Sequence, residues 1–192
     1  MDSRETPRGR EGVRDALIAA AIELFSERGP KAVSVREIAK RAQVNHGLVH
    51  RHFGSKEGLV RAVQDRLASD IAATVGGAQG DESLQELLGS IFGATSQQGH
   101  WLRILAWSVL DGEPETEIQE NFPLADRMLA AARRQSEGLL SPEARVTHIM
   151  SVGLGLLLFG PFLRQATGQD TAQWEESLAQ IMGLVSRGPR SL

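Results

Sequence analysis

The chain predicts an all-α protein: an N-terminal three-helix domain built around a helix-turn-helix, followed by a larger C-terminal helical domain. Three observations predict it. Apolar residues recur at helical spacing along most of the chain, and no stretch alternates as a strand would. Residues 34–53 read as two short helices joined by a tight turn. Charge divides unevenly, too. Residues 1–66 hold 13 Lys and Arg against 9 Asp and Glu, a net of +4, while residues 67–192 hold 8 against 15, a net of −7. The expected domains are therefore 1–66, with a core over about 13–63, and 67–192.

In order, the first helix spans 13–28, with Leu17, Ala20, Ala21, Leu24 and Phe25 on one face and Gly29-Pro30 ending it. Ser34 and Glu37 stand at capping-box spacing, in which each side chain satisfies an orphan amide of a helix start. Val35, Ile38 and Ala39 give that helix its apolar face. Gln43-Val44 breaks the pattern, and Asn45 is expected to cap a second short helix. There Leu48, Val49 and Phe53 turn inward, leaving His46, His50, Arg51 and His52 largely outside. Ser55 caps a helix reaching residue 73, and Gly76-Gly77-Ala78-Gln79-Gly80 is a break. Helices follow over 83–96, 101–110, 122–137, 141–165 and 174–186, with an acidic, Pro-containing loop at 111–117 and a frayed tail at 188–192. Ser141-Pro142 opens the longest helix with Ser at the cap and Pro in the first turn.

A short, firmly held helix with hydrogen-bonding groups on its free face fits a DNA major groove. The flanks of residues 34–53 add specificity. Upstream lies Ala16-Leu-Ile-Ala-Ala-Ala-Ile-Glu-Leu-Phe25-Ser-Glu-Arg-Gly29, and downstream Phe53-Gly-Ser-Lys-Glu-Gly-Leu59. Over residues 13–63 the sequence resembles the N-terminal domain of the TetR family of bacterial transcriptional regulators. It departs from the common pattern where many members carry an aromatic residue at the positions of His50 and His52, and Thr or Ser at that of Leu48.

That resemblance implies a regulator, most often a repressor, that binds a palindromic double-stranded DNA operator as a homodimer and responds to a small hydrophobic effector. It places Lys56 against the phosphate backbone at a helix start, where free amides also attract phosphate. His46, Gly47, His50 and Arg51 fall where bases or nearby phosphates would be met; Ser34 and Arg36 reach phosphates from the preceding helix. Asn45 and His52 complete the expected DNA-facing set. It also implies that helices 141–165 and 174–186 pair across a two-fold axis.

Three of the five histidines lie on the expected reader surface, so DNA affinity is expected to rise as pH falls and imidazoles gain charge. A basic first part suits a phosphate-facing surface, because each neutralised phosphate releases counterions. The spacing His46-x-x-x-His50 can hold zinc, but Gly47 stands where a zinc protease needs Glu and the chain has no cysteine; no metal and no cofactor are expected. Zero cysteines also exclude disulfides and a thiol nucleophile. No nucleophile elbow and no P-loop is present, so an enzyme is not expected. The charged N-terminus has no apolar signal region, which points to the cytoplasm.

Residues 146–163 are apolar enough to be weighed as a membrane span, but they include His148, Ser151, three glycines and Pro161. Burial between the protomer core and a partner subunit is the simpler reading, so no membrane partner is expected. An effector pocket would draw on Phe92, Trp101, Trp107, Phe122, Met128, His148, Met150 and Phe159, with His148 as polar anchor. Equally, Trp, Phe and Met at helical spacing are ordinary core residues. An all-α interaction protein using the 146–163 helix for partner binding is the remaining alternative. Steep loss of binding with added salt would separate the DNA reader from it.

Overall fold

The structure, a computed structural model, describes residues 9–75, 83–97, 99–112, 118–134 and 140–187. Among the described residues there are nine α-helices and no strand. They are α1 (Gly9–Arg28), α2 (Val35–Arg41), α3 (Gly47–Phe53), α4 (Lys56–Thr74), α5 (Leu84–Gln97), α6 (Gly99–Leu110), α7 (Pro123–Arg134), α8 (Pro142–Ala166) and α9 (Thr171–Arg187). The all-α expectation and the order of its elements hold. The glycine-rich break at 76–80, the 113–117 part of the acidic loop, the expected helix end at Glu137 and the 188–192 tail lie outside the described residues.

Three helices start earlier than their apolar pattern does, α6 among them at Gly99 rather than Trp101. Helix α1 begins at Gly9, and α9 begins at Thr171 rather than Trp174. A reciprocal cap explains α9: Asp170 Oδ1 accepts the Gln173 amide at 2.9 Å, and Gln173 Oε1 accepts the Asp170 amide at 3.0 Å. A further correction is local. Helix α3 begins at Gly47 with His46, not Asn45, in the cap position. Asn45 still satisfies that helix start, since its Oδ1 accepts the Gly47 amide at 2.8 Å.

The chain divides into two compact units. The first runs to Ala68 and takes back residues 103–121; the second holds 69–102 and 122–192. The sequence-drawn division at 66 is linear, whereas the first packing unit also holds the returning segment, residues 103–121. Its anchorage is electrostatic. Asp65 Oδ1 on α4 accepts the amides of Glu120 and Asn121 at 3.0 and 2.9 Å, and Arg61 pairs with Glu120 at 2.9 Å. Gly29 and Trp107 complete the contact: a Cβ at Gly29 would lie 2.9–3.2 Å from the indole ring, and Gly29 also holds a φ of +76°. The first unit buries Leu17, Ile18, Phe25, Val33, Ile38, Val49, Leu59 and Val63. Removing such side chains from water contributes about 1.5–3 kcal/mol each.

The second unit has its own core, in which Leu84, Leu87 and Leu88 of α5 meet Met128, Ala131 and Ala132 of α7 and Val146 and Ile149 of α8. Helix α9 packs on α5 and α8. A Cβ at Gly160 would lie 3.3 Å from the Trp174 ring, so the glycine lets the two helices close on that indole. Ser141 caps α8 by accepting the Ala144 amide at 3.1 Å, with Pro142 in the first turn as expected. Pro161 sits inside the helix without ending it. By length and composition α8 could cross a membrane, with mean hydropathy 1.8 over its most apolar window. Only 17% of that window is buried by the chain's own fold.

Candidate nucleic-acid interface

Helices α2 and α3 pack against each other, and α1 packs on α2. Alpha-2 is fixed at its start by the predicted capping box: Ser34 Oγ accepts the Glu37 amide at 3.2 Å, and Glu37 Oε2 accepts the Ser34 amide at 2.8 Å. Glu37 also pairs with Arg28 at 2.9 Å. Hydrogen bonds from the Ser34 backbone and hydroxyl, then from Arg28, hold the Glu37 carboxyl at about 2. Arg41 pairs with Glu23 and ties the end of α2 back to α1. The turn that follows places Gln43 at φ +57°, a left-handed conformation that a side chain disfavours.

Helix α3 buries Val49 completely and leaves His46, Gly47, His50 and Arg51 exposed; Leu48, His52 and Phe53 are half-buried. His50 is held at both ends by Gly54. The Gly54 amide donates to the His50 carbonyl at 2.9 Å, and His50 Nδ1 lies 3.1 Å from the Gly54 carbonyl oxygen. Gly54 sits at φ +75°, which turns that carbonyl back toward the helix. Phe53 lies under Arg14, whose guanidinium carbon is 5.5 Å from the ring centroid. Partial burial, then the charges of Arg10, Arg51 and Arg14, push the His52 imidazole below its usual range. His52 therefore stays neutral further into acid than a free imidazole, and contributes late to any gain of charge.

Lys56 is the first residue of α4, and its Nζ donates to the Lys31 carbonyl at 3.3 Å. Ser55 caps that helix by accepting the Gly58 amide at 3.0 Å. Gly58 is packed so tightly that a Cβ there would collide with the Phe53 carbonyl oxygen, so α3 and α4 meet backbone to backbone. Ser34 and Arg36 are exposed beside the α2 start, although the Ser34 hydroxyl already serves Glu37 in both directions. Sequence reasoning missed Arg10 and Arg14. They lie on the first two turns of α1, ahead of its expected start at residue 13 or just inside it, and add cations beside α3.

The residues expected to line an effector pocket have mixed placements. Met128 belongs to the second unit's core, Met150 packs against it, and Trp101 is buried. Phe92 is half-buried, and Phe122, His148 and Phe159 are exposed. Trp107 belongs to the first unit, against Gly29. Among the described residues no group of three His, Cys, Asp or Glu stands close enough to hold a metal ion.

The family model described as bacterial regulatory proteins of the tetR family matches residues 17–63, which span most of α1 through the first two turns of α4. Over 186 residues the chain is 38% identical to the HTH-type transcriptional repressor Rv3405c of Mycobacterium tuberculosis, covering 97% of this chain and 94% of that protein. Among solved structures, a TetR-family regulator from Vibrio parahaemolyticus superposes with a TM-score of 0.63 at 22% identity, over 88% of this chain and 96% of that one. A TetR-family regulator from Rhodococcus gives 0.64 at 19%, over 91% and 98%. A cation-bearing reader helix packed on a capped partner helix, in a chain so similar end to end to a known regulator, settles the family: the chain belongs to the TetR family of DNA-binding transcriptional regulators, and is not an enzyme.

Proposed function

We propose that the chain is a cytoplasmic repressor that binds an inverted-repeat operator as a homodimer, one α3 per half-site, and that a small hydrophobic effector releases it. The observation that carries the reading is the surface of α3. Val49 anchors the helix while His46, Gly47, His50 and Arg51 stand free, with Lys56 at the adjoining helix start. Repression follows the name of the 38% identical mycobacterial relative. Arg51 reads a base or a phosphate, Lys56 and Arg36 neutralise phosphates, and Gly47 lets the backbone approach. Ser34, Asn45 and His52 shape and support that surface.

Dimerisation falls to α8 and α9, whose apolar residues Leu158, Phe159, Phe162 and Leu184 are exposed on the single chain. A two-fold dimer presents two reader helices and so matches a two-fold operator. The effector binds within the second unit, where Trp101 is the best-supported contact among the residues named above. Trp101 carries a buried indole N–H with no acceptor among the described residues, a donor that a bound effector would satisfy. Release is a population shift: the effector must prefer a conformer whose reader helices are misplaced for adjacent grooves.

Selection of binding sites from random duplex DNA tests the reading, with Arg51→Ala and Lys56→Ala in parallel. An enriched palindrome is expected, with Lys56→Ala weakening all sites alike and Arg51→Ala either shifting preference or weakening uniformly according to its role. No enrichment at low salt, with or without cell extract, would overturn it.

A further inference from the structure

Resting on the operator-binding reading, we infer that His50 is a specificity-determining residue that reads an amino-bearing base, adenine or cytosine, when its ring is neutral, and a keto-bearing base, guanine or thymine, when protonated. The argument starts from one hydrogen bond. His50 Nδ1 lies 3.1 Å from the Gly54 carbonyl oxygen, and a carbonyl can only accept, so Nδ1 carries the proton. In a neutral imidazole the other nitrogen is then bare. Nε2, on the far side of the ring from Gly54, is a hydrogen-bond acceptor on the exposed surface of α3.

An acceptor selects its partner. Phosphate oxygens offer no proton, so neutral His50 has nothing to give them through Nε2. In the major groove the donors are adenine N6 and cytosine N4, and the acceptors are guanine O6 and N7, thymine O4 and adenine N7. Neutral His50 therefore favours an amino base on the contacted strand. Protonation leaves the Gly54 bond intact and turns Nε2 into a donor, which loses the cytosine contact and favours guanine O6 and N7 or thymine O4, leaving adenine only its N7. One ring in one place reads two alphabets.

The ring's placement is built in. Gly54 donates its amide to the His50 carbonyl at 2.9 Å and accepts from the His50 ring, and its φ of +75° aims that carbonyl. Gly54 is thus a positioning residue, and the ring is held before DNA arrives. The charged neighbours come from α1, α2, α3 and α4. On and beside α3 stand His46, Arg51 and His52; α1 brings Arg10 and Arg14 beside it, α2 carries Arg36, Glu37, Lys40 and Arg41, and α4 starts with Lys56 and Glu57. Glu37 is engaged by Ser34 and Arg28, Arg41 by Glu23, and Glu57 by Ser55 and its own backbone amide. None of these carboxylates bonds His50.

The test is selection from random duplex DNA at pH 8 and pH 5.5, at matched salt, by wild type, His50→Ala and His50→Lys. Circular dichroism confirms that each variant is folded. At pH 8, wild type is expected to prefer adenine or cytosine at one position per half-site, by about threefold to tenfold for a single hydrogen bond. His50→Ala erases that preference. His50→Lys, a permanent donor, prefers guanine or thymine there at both pH values, and wild type moves to the same choice at pH 5.5. Uniform weakening of every site by His50→Ala, or a keto base chosen by wild type at pH 8, would overturn the inference while leaving the operator reading intact. Enrichment of no palindrome by wild type would overturn both.

Discussion

The surface of α3 and the surface shared by α8 and α9 are both exposed on the single chain, yet their chemistry is opposite. Around α3 stand His46, His50 and Arg51, with Arg10 and Arg14 beside them and Lys56 at the next helix start. On α8 and α9 stand Leu158, Phe159, Phe162 and Leu184. Exposure alone therefore says little about purpose; the character of the exposed atoms says much. Hydrated cations on a rigid helix lose little while waiting for a polyanion. Four large apolar side chains in water are unfavourable until something covers them.

The largest expected effect breaks the apolar side of that comparison. Phe159 and Phe162 are 56% and 66% exposed, so little of the protomer's own core depends on them. Burial of one such side chain at an interface is worth about 1.5–3 kcal/mol. A two-fold dimer would count each residue twice. Phe159→Asp with Phe162→Asp is thus expected to convert the dimer to monomer at micromolar concentration while leaving the helical circular dichroism spectrum unchanged. Sedimentation velocity checks it; a dimer that persists would remove this face from the interface.

Next in size is a substitution that attacks the cationic side through its scaffold. A methyl group at Gly58 would collide with the Phe53 carbonyl group, which is backbone and cannot swing aside as a flexible side chain would. Gly58→Ala should lower stability by roughly 1–3 kcal/mol, toward the upper end because backbone must move. It should also weaken operator binding beyond the loss of folded protein, since α3 would shift against α4 and Lys56. Thermal melts and titration of folded protein against operator separate the two effects. Unchanged melting would mean that the α3–α4 junction gives way cheaply.

How much of this was legible in the sequence differs between the two regions for a physical reason. Residues 34–53 write their structure locally. Ser34 and Glu37 cap each other three residues apart, Val49 is buried, and Ser55 caps the next helix, so spacing alone located α2, α3 and the start of α4. Asn45 missed its cap position by one residue because an Asx turn and an N-cap use the same atoms. Non-local contacts left no local signal. Nothing in the spacing of Asp65 and Asn121 foretells that residues 103–121 return to the first unit, nor that Trp107 lies on Gly29. The early start of α9 was legible after all: Asp170 and Gln173 form a capping pair that the apolar pattern, beginning at Trp174, obscured.

A smaller effect sharpens the comparison through pH. Glu37 is held at about 2 by its bonds to Ser34 and Arg28. An unfolded Glu titrates near 4.3, so the folded state binds this proton less readily than the unfolded one. The stabilisation is therefore fully present above about pH 4.3, where both forms are ionised, and is lost as pH falls from there toward about 2. The apolar surfaces of α8 and α9 carry no such dependence. Acid titration should weaken the start of α2 over that window, and Glu37→Gln should flatten the stability curve there. Equal acid sensitivity in wild type and Glu37→Gln would show that the capping box contributes nothing through its charge.

The smallest expected effect is a gain. Gln43 holds φ +57° between α2 and α3, a conformation that costs a side-chain-bearing residue about 1–2 kcal/mol. Gln43→Gly relieves that cost but adds freedom to the unfolded chain worth about 0.4–1 kcal/mol. The terms oppose, and the left-handed penalty is the larger, so a net gain of about 0.5 kcal/mol is expected from these magnitudes. Because Gln43 is exposed, no packing changes with it, and operator affinity should stay within twofold of wild type. A denaturant midpoint that falls instead would mean that the Gln43 side chain supports the turn and that the reader helix depends on it. In that case the rigidity of α3 would rest on the turn as well as on Val49, the capping box and the α3–α4 backbone contact.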